Sequence, residues 1–164
     1  MTIFLCGFMG CGKSTIGKAL ANRLNAPFFD LDDYIVSKEG RTIPTIFEEN
    51  GEPYFRQVEA DSIGEISTQG GVIATGGGAM LNPKTAEFAR GCGKVIYLDV
   101  PFLTCYKRIC DDTNRPLVMN NTMTQLLDLY NKRKIVYIKN STHTVNAKCS
   151  IEKIVGKIIE IIQL

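Results

Sequence analysis

Histidine is nearly absent from this chain, and its cysteines lack ligand spacing. His143 is the one histidine, and Cys6, Cys11, Cys92, Cys105, Cys110 and Cys149 form no C-x-x-C pair. A zinc site is therefore not expected. No apolar run approaches the ~20 residues of a membrane span, so no membrane partner is expected. Basic residues do not cluster: the longest run is Lys132-Arg133-Lys134 and the net charge is +2. A nucleic-acid surface needs a broad positive face, so no nucleic-acid partner is expected either. Lys13 and Ser14 interrupt the apolar N-terminus, so no signal peptide is expected. The cytoplasm is then the expected compartment, with the cysteines mostly small, reduced core residues.

What is present is ordinary in bulk and specific in places. The chain has 164 residues, 45% hydrophobic and 22% charged. That suits one domain over 1–164, with a monomer expected. Residues 7–15 read Gly7-Phe8-Met9-Gly10-Cys11-Gly12-Lys13-Ser14-Thr15, directly after the apolar run Ile3-Phe4-Leu5-Cys6. This is G-x-x-x-x-G-K-[ST] in the strand–turn–helix context of a phosphate-binding loop. Its glycines let backbone N–H groups turn inward around an anion, and the following helix aims its N-terminal dipole at the same point. Lys13 can reach the β- and γ-phosphates, and the Ser14 hydroxyl can ligate Mg²⁺. A nucleoside triphosphate is the expected ligand. Cys11 lies inside this loop near Lys13, a setting that can lower a thiol pKa and make alkylation inhibitory. A position that tolerates any small residue is the simpler account of it.

Strand-like and helix-like segments then alternate. Strands are expected at 2–6, Phe28–Asp30, 72–75, 94–99 and 142–146. Helices are expected at 13–25, 32–38, after Thr42, from Gly51-Pro53 to about Thr68, and at 83–90, 101–110, 122–139 and 150–162. Repeated β–α units read as a parallel sheet with helices on both faces, which collects ligands at the carboxyl ends of its strands. The second strand ends in Asp30-Leu31-Asp32-Asp33. Asp30 can hold Mg²⁺ directly or through water, Asp32 can take hydrogen bonds and a proton from a hydroxylated substrate, and Asp33 is expected to cap the next helix.

Arg56 and Glu59 sit three apart on a helix, so a carboxylate can preorganise the arginine to grip another carboxylate. Gly76-Gly77-Gly78 after a buried strand implies that something approaches the backbone closely. The polar stretch Asp111 to Pro116 centres on Arg115, which could close over phosphates. Arg108 could stack on a base or bind phosphate, and Arg133 lies on the helix after this stretch. Each arginine alone also fits a solvated face. Asp99, after Val95-Ile96-Tyr97-Leu98, imitates the metal-binding acid of many NTPases. Asp30 already supplies that partner, so Asp99 is not expected to bind metal.

Taken together, Gly7–Thr15, Phe29-Asp30-Leu31-Asp32, Phe55-Arg56, Ala74-Thr75-Gly76-Gly77-Gly78-Ala79 and Arg115-Pro116-Leu117 occur in one order at matching spacings. In this the chain resembles the shikimate kinase family over its whole length. The resemblance implies a three-layer α/β/α P-loop kinase with a five-stranded parallel sheet. It implies a small lid at about 110–122 and a substrate-binding helical segment at about 32–62. It also implies transfer of the ATP γ-phosphate to the 3-hydroxyl of shikimate, with Mg²⁺ as cofactor. Gly10, Cys11, Gly12, Lys13, Ser14 and Thr15 then resemble the nucleotide loop, with Ser14, and Asp30 through water, on the metal. Asp32 resembles the residue that holds the acceptor hydroxyls. Arg56, Gly77 and Arg133 resemble the shikimate contacts, Arg115 the lid arginine and Arg108 the residue on adenine. Lys13, Asp32 and Arg115 would carry catalysis. Near Asn146 to Ser150, where the last nucleotide contact would fall, nothing matches. A gluconate or nucleoside-monophosphate kinase of the same fold is the nearest rival, and a nucleotide-binding module without turnover is the rival of another class.

Overall fold

Residues 1–112 and 116–163 are described in this computed structural model. Among them, five strands form one sheet in the order β2-β3-β1-β4-β5, and every neighbouring pair is parallel. The strands are β1 (Thr2–Cys6), β2 (Phe28–Asp30), β3 (Gly71–Ala74), β4 (Gly93–Asp99) and β5 (His143–Asn146). Helices α1 (Lys13–Leu24), α2 (Leu31–Glu39), α3 (Ile43–Ser67), α4 (Pro83–Cys92), α5 (Phe102–Ile109), α6 (Pro116–Met119), α7 (Met123–Asn140) and α8 (Ile151–Gln163) connect and cover them.

β1 is the central strand, and every residue in it is buried. A strand covered on both faces reads as a continuous apolar run rather than an alternating one. Phe4, Leu5, Val72, Ile73, Val95 and Ile96 are fully buried, and each contributes about 1.5–3 kcal/mol of burial. β1 lies between β3 and β4, so the chain runs outward to one side of it and then to the other. A crevice forms outside the carboxyl ends of the strands at such a switch point.

Two boundaries carry functional weight. The helix after β2 starts at Leu31, and Asp30 is its N-cap: the Asp30 carboxylate accepts from the Asp32 N–H at 3.1 Å. The cap expected of Asp33 is therefore corrected. A cap must precede the first turn with extended backbone, as Asp30 does (φ −93°, ψ 120°), whereas Asp33 lies inside that turn. The two helices expected on either side of Gly51 run as one element, α3, broken in helical geometry only at Gly51 (φ 80°, ψ 171°). Thr42 caps its first turn through the Thr45 N–H, and Pro53 sits where the second turn needs no donor.

The cysteines divide. Cys6, Cys11 and Cys105 are buried, Cys149 is half-buried, and Cys92 and Cys110 are exposed. The expectation that most are core residues thus fails for Cys92 and Cys110, which fall at helix ends. No helix of the described residues is long and apolar enough to cross a membrane.

Candidate active site

The loop between β1 and α1 is shaped by Gly10 (φ 77°) and Gly12 (φ 95°), backbone that side-chain-bearing residues rarely adopt. Cys11 N–H donates to Phe8 O and Ile16 N–H to Gly12 O. Between them, the N–H groups of Gly12, Lys13, Ser14 and Thr15 meet no acceptor among the described residues. Four successive free amides at a helix N-terminus form an anion cradle. The Lys13 ammonium lies over it, donating to Gly7 O (2.9 Å), Phe8 O (3.1 Å) and Cys11 Sγ (3.6 Å). Arg108, on α5, crosses the loop and donates to Gly10 O at 2.9 Å. Cys11 itself is 1% exposed, so the exposure that a reactive thiol requires is missing. Nearby Cys6 is pushed up to about 12, chiefly by burial.

The strand ends bring the carboxylates to the same mouth. The Ser14 hydroxyl donates to Asp30 Oδ2 at 2.5 Å. Asp32 and the glycine run that follows β3 meet next to them: a Cβ at Gly76 would lie 2.7 Å from Asp32 Oδ1 and 3.0 Å from Glu59 Oε1. A Cβ at Gly78 would run into the Arg56 guanidinium, and one at Gly77 would lie 3.7 Å from Arg133 Nη1. The triple glycine is thus a close approach of backbone to two arginines and two acids. A crevice of about 260 Å³ joins Lys13, Ser14, Asp30, Asp32, Gly77 and Arg108. A larger one of about 390 Å³ opens on the far side of Arg56, between α3 and α4, and includes no loop amide and no strand end.

Arg56 is fixed before anything binds. Its Nη1 donates to Glu59 Oε2 at 2.8 Å, and Nε and Nη2 donate to Glu52 Oε1 at 3.2 and 3.1 Å. Glu59 is almost fully buried, which pushes its carboxyl up; the Arg56 cation opposes that rise and the Asp32 charge adds to it. The guanidinium is pushed up as well, because the two glutamates outweigh its own desolvation. An arginine with set geometry in a partly dry site can take a carboxylate bidentately.

Of the expected sites, Gly10, Gly12 to Thr15, Asp30, Asp32, Gly77 and Arg108 line one crevice. Cys11 is buried beneath the loop, and Arg56 lines the neighbouring crevice and reaches the same glycine run at Gly78, with Arg133 against Gly77. Arg115 lies outside the described residues. Asp99 is taken up elsewhere: both its carboxylate oxygens accept from Lys134, at 2.8 and 3.0 Å, and Tyr97 donates to it at 3.3 Å. Glu52 and Tyr137 were not singled out from the sequence. Their signal was helical spacing, since each lies four residues from an arginine, Glu52 before Arg56 and Tyr137 after Arg133.

Known proteins provide the comparison. A family profile described as shikimate kinase matches residues 9–163. A curated shikimate kinase of Salinibacter ruber is 39% identical over 173 residues, covering 99% of this chain and 84% of that protein. The structure of a shikimate kinase from Acinetobacter baumannii in complex with shikimate superposes with a TM-score of 0.92 at 36% identity, over 99% of this chain and 92% of that one. A gluconokinase of Sinorhizobium meliloti superposes with a TM-score of 0.60 at 19% identity, over 99% of this chain and 93% of that one. That likeness concerns the fold alone.

Proposed function

The chain belongs to the shikimate kinase family, and from that premise we infer that it transfers the γ-phosphate of ATP to the 3-hydroxyl of shikimate. The observation that carries this reading is the position of Asp32. It lies between the phosphate cradle and the Glu59–Arg56 pair, where an acceptor must present a hydroxyl to one side and a carboxylate to the other.

The free amides of Gly12 to Thr15 and the Lys13 ammonium would hold the transferring phosphates. Gly10, Cys11 and Gly12 shape that cradle, and Arg108 flanks it on the side where adenine would lie. Asp32 would hold and aim the acceptor hydroxyl and receive its proton. Arg56, the Gly77 backbone and Arg133 would take the carboxylate. Phosphoryl transfer passes through a loose transition state, so alignment and charge neutralisation matter more than a strong base. Arg115 would add positive charge from a lid at about 110–122, on the strength of the Arg115-Pro116-Leu117 motif, and α2 with the first part of α3, about 32–62, would form the acceptor side.

The donor set at the loop mouth fits Mg²⁺. Ser14 Oγ and Asp30 Oδ2 are hard oxygens 2.5 Å apart, and no group of three His, Cys, Asp or Glu side chains among the described residues would cage a metal. Mg²⁺ keeps several waters and takes phosphate oxygens, so a hydroxyl and one carboxylate acting through water suffice. When bound, the ion neutralises charge on the phosphates. A single-domain monomer in the cytoplasm completes the reading.

Titration calorimetry with Arg56→Ala tests the acceptor side. Shikimate affinity should fall by at least about 100-fold, the scale of a lost charge-assisted pair, with ATP affinity retained. Unchanged shikimate affinity would remove Arg56 from the site.

A further inference from the structure

We propose that Tyr137 is a positioning residue for the acceptor: it locks the Gly77–Gly78 peptide on which Arg56 and Arg133 converge. This rests on the acceptor reading above and extends it to a residue that touches no substrate.

A glycine run has no side chains of its own to hold it, and ordering each residue costs about 1–2 kcal/mol of backbone entropy. Here the constraint comes from α7. Tyr137 is 1% exposed, and its hydroxyl donates to Gly77 O at 2.5 Å. Its ring stacks on Tyr97 of β4, centroids 5.4 Å apart and planes 25° from parallel. Burial pushes the phenol up, so it remains a donor across the working pH range.

The bonded carbonyl belongs to the peptide joining Gly77 to Gly78, and that peptide is trans. Fixing the oxygen therefore turns the Gly78 N–H to the opposite side. Neither the Gly77 nor the Gly78 N–H donates to an acceptor among the described residues. Accepting a hydrogen bond at the oxygen polarises the peptide and strengthens its N–H as a donor. Arg133 lies against Gly77 and Arg56 against Gly78, so this peptide sits between the two cations that would hold a carboxylate. Arg133 and Tyr137 are four residues apart, which puts the cation and the lock on one helix face.

α7 is itself anchored. Lys134 pairs with Asp99, Tyr130 donates to Val100 O at 2.8 Å, and Asn140 donates to Met80 O at 2.9 Å. Tyr130 thus supplies an internal control, a buried tyrosine on the same helix bonded to a different backbone carbonyl.

The test compares Tyr137→Phe with Tyr130→Phe in steady-state kinetics, shikimate calorimetry and amide hydrogen exchange over residues 76–80. Tyr137→Phe should raise the KM and Kd for shikimate about tenfold, the worth of one lost hydrogen bond to a buried group. Its kcat and its KM for ATP should stay within about twofold, and exchange at 76–80 should quicken. Tyr130→Phe should lower the Tm while leaving shikimate affinity and exchange at 76–80 as in the wild type. Wild-type shikimate affinity in Tyr137→Phe, or equal losses in both variants, would overturn the proposal. If the wild type failed to use shikimate, the acceptor reading would fall, and the exchange comparison would still decide whether Tyr137 holds the peptide.

Discussion

Arg56 commits three of its N–H donors to Glu52 and Glu59, leaving its remaining donors on a guanidinium that can no longer swing. Glu59 is the buried half of that pair, and burial sets its pH behaviour. Its carboxyl is raised in the folded chain, so the folded state binds the extra proton just above the ordinary carboxylate range. Stability is then greatest below the unfolded value and falls as pH rises through the raised one. The Tm of the wild type should decline across that window relative to Glu59→Gln, which lacks the titration; parallel Tm–pH curves would contradict this. Lys13 makes the second residue-scale prediction. Its ammonium is centred over the loop by two carbonyls and a sulfur. Lys13→Ala should lower kcat by about two to three orders of magnitude with little change in Tm. Cys11 makes the third. In the native protein Cys92 and Cys110 should titrate quickly with a thiol reagent, while Cys6, Cys11 and Cys105 should react only after denaturation. Rapid labelling of Cys11 with loss of activity would restore the reactive-thiol reading. Lys13, Ser14, Asp32 and Arg56 were legible in the sequence because each belongs to a motif with a fixed spacing. Tyr137 was not, because its partner is a backbone carbonyl sixty residues away in the chain.

At the scale of elements, α3 does two jobs that Gly51 separates. The turns before it pack Ile46 into the core, and the turns after it present Arg56 and Glu59. The junction has φ 80° and ψ 171°, a region nearly closed to residues with a Cβ. Gly51→Ala should therefore cost about 1–3 kcal/mol in urea unfolding. It should also weaken shikimate more than ATP, because it tilts the segment that carries Arg56. Equal stability would mean that the break is tolerant. The break itself could be read from Gly51 and Pro53, whose chemistry interrupts a helix. The cap of α2 could not, because Asp30, Asp32 and Asp33 are chemically equivalent candidates. Only the point where β2 stops hydrogen bonding decides among them, and that depends on β3. The role of Asp99 shows the same limit in reverse. An acid after four apolar residues fits a metal site by pattern, and only the packing of α7 brings Lys134 to it.

Over the whole molecule, the order β2-β3-β1-β4-β5 places the loop after β1 beside the ends of β3 and β2. The phosphate cradle, the two aspartates and the three glycines are thereby neighbours, although 60 residues of chain lie between Thr15 at the end of the loop and Gly76. The alternation of strands and helices was legible because buried parallel strands are short apolar runs and their helices carry end signals. The strand order was not legible from periodicity, which records burial and not neighbours; the family resemblance supplied the five parallel strands but not their order. Everything at this end of the sheet converges on one property, the choice of shikimate as the phosphate acceptor. ADP release in a coupled assay, with shikimate, gluconate and nucleoside monophosphates offered in turn, tests it most directly. Turnover is expected with shikimate and background rates with the rest; turnover with gluconate or a nucleoside monophosphate, or none with shikimate, would overturn the acceptor assignment.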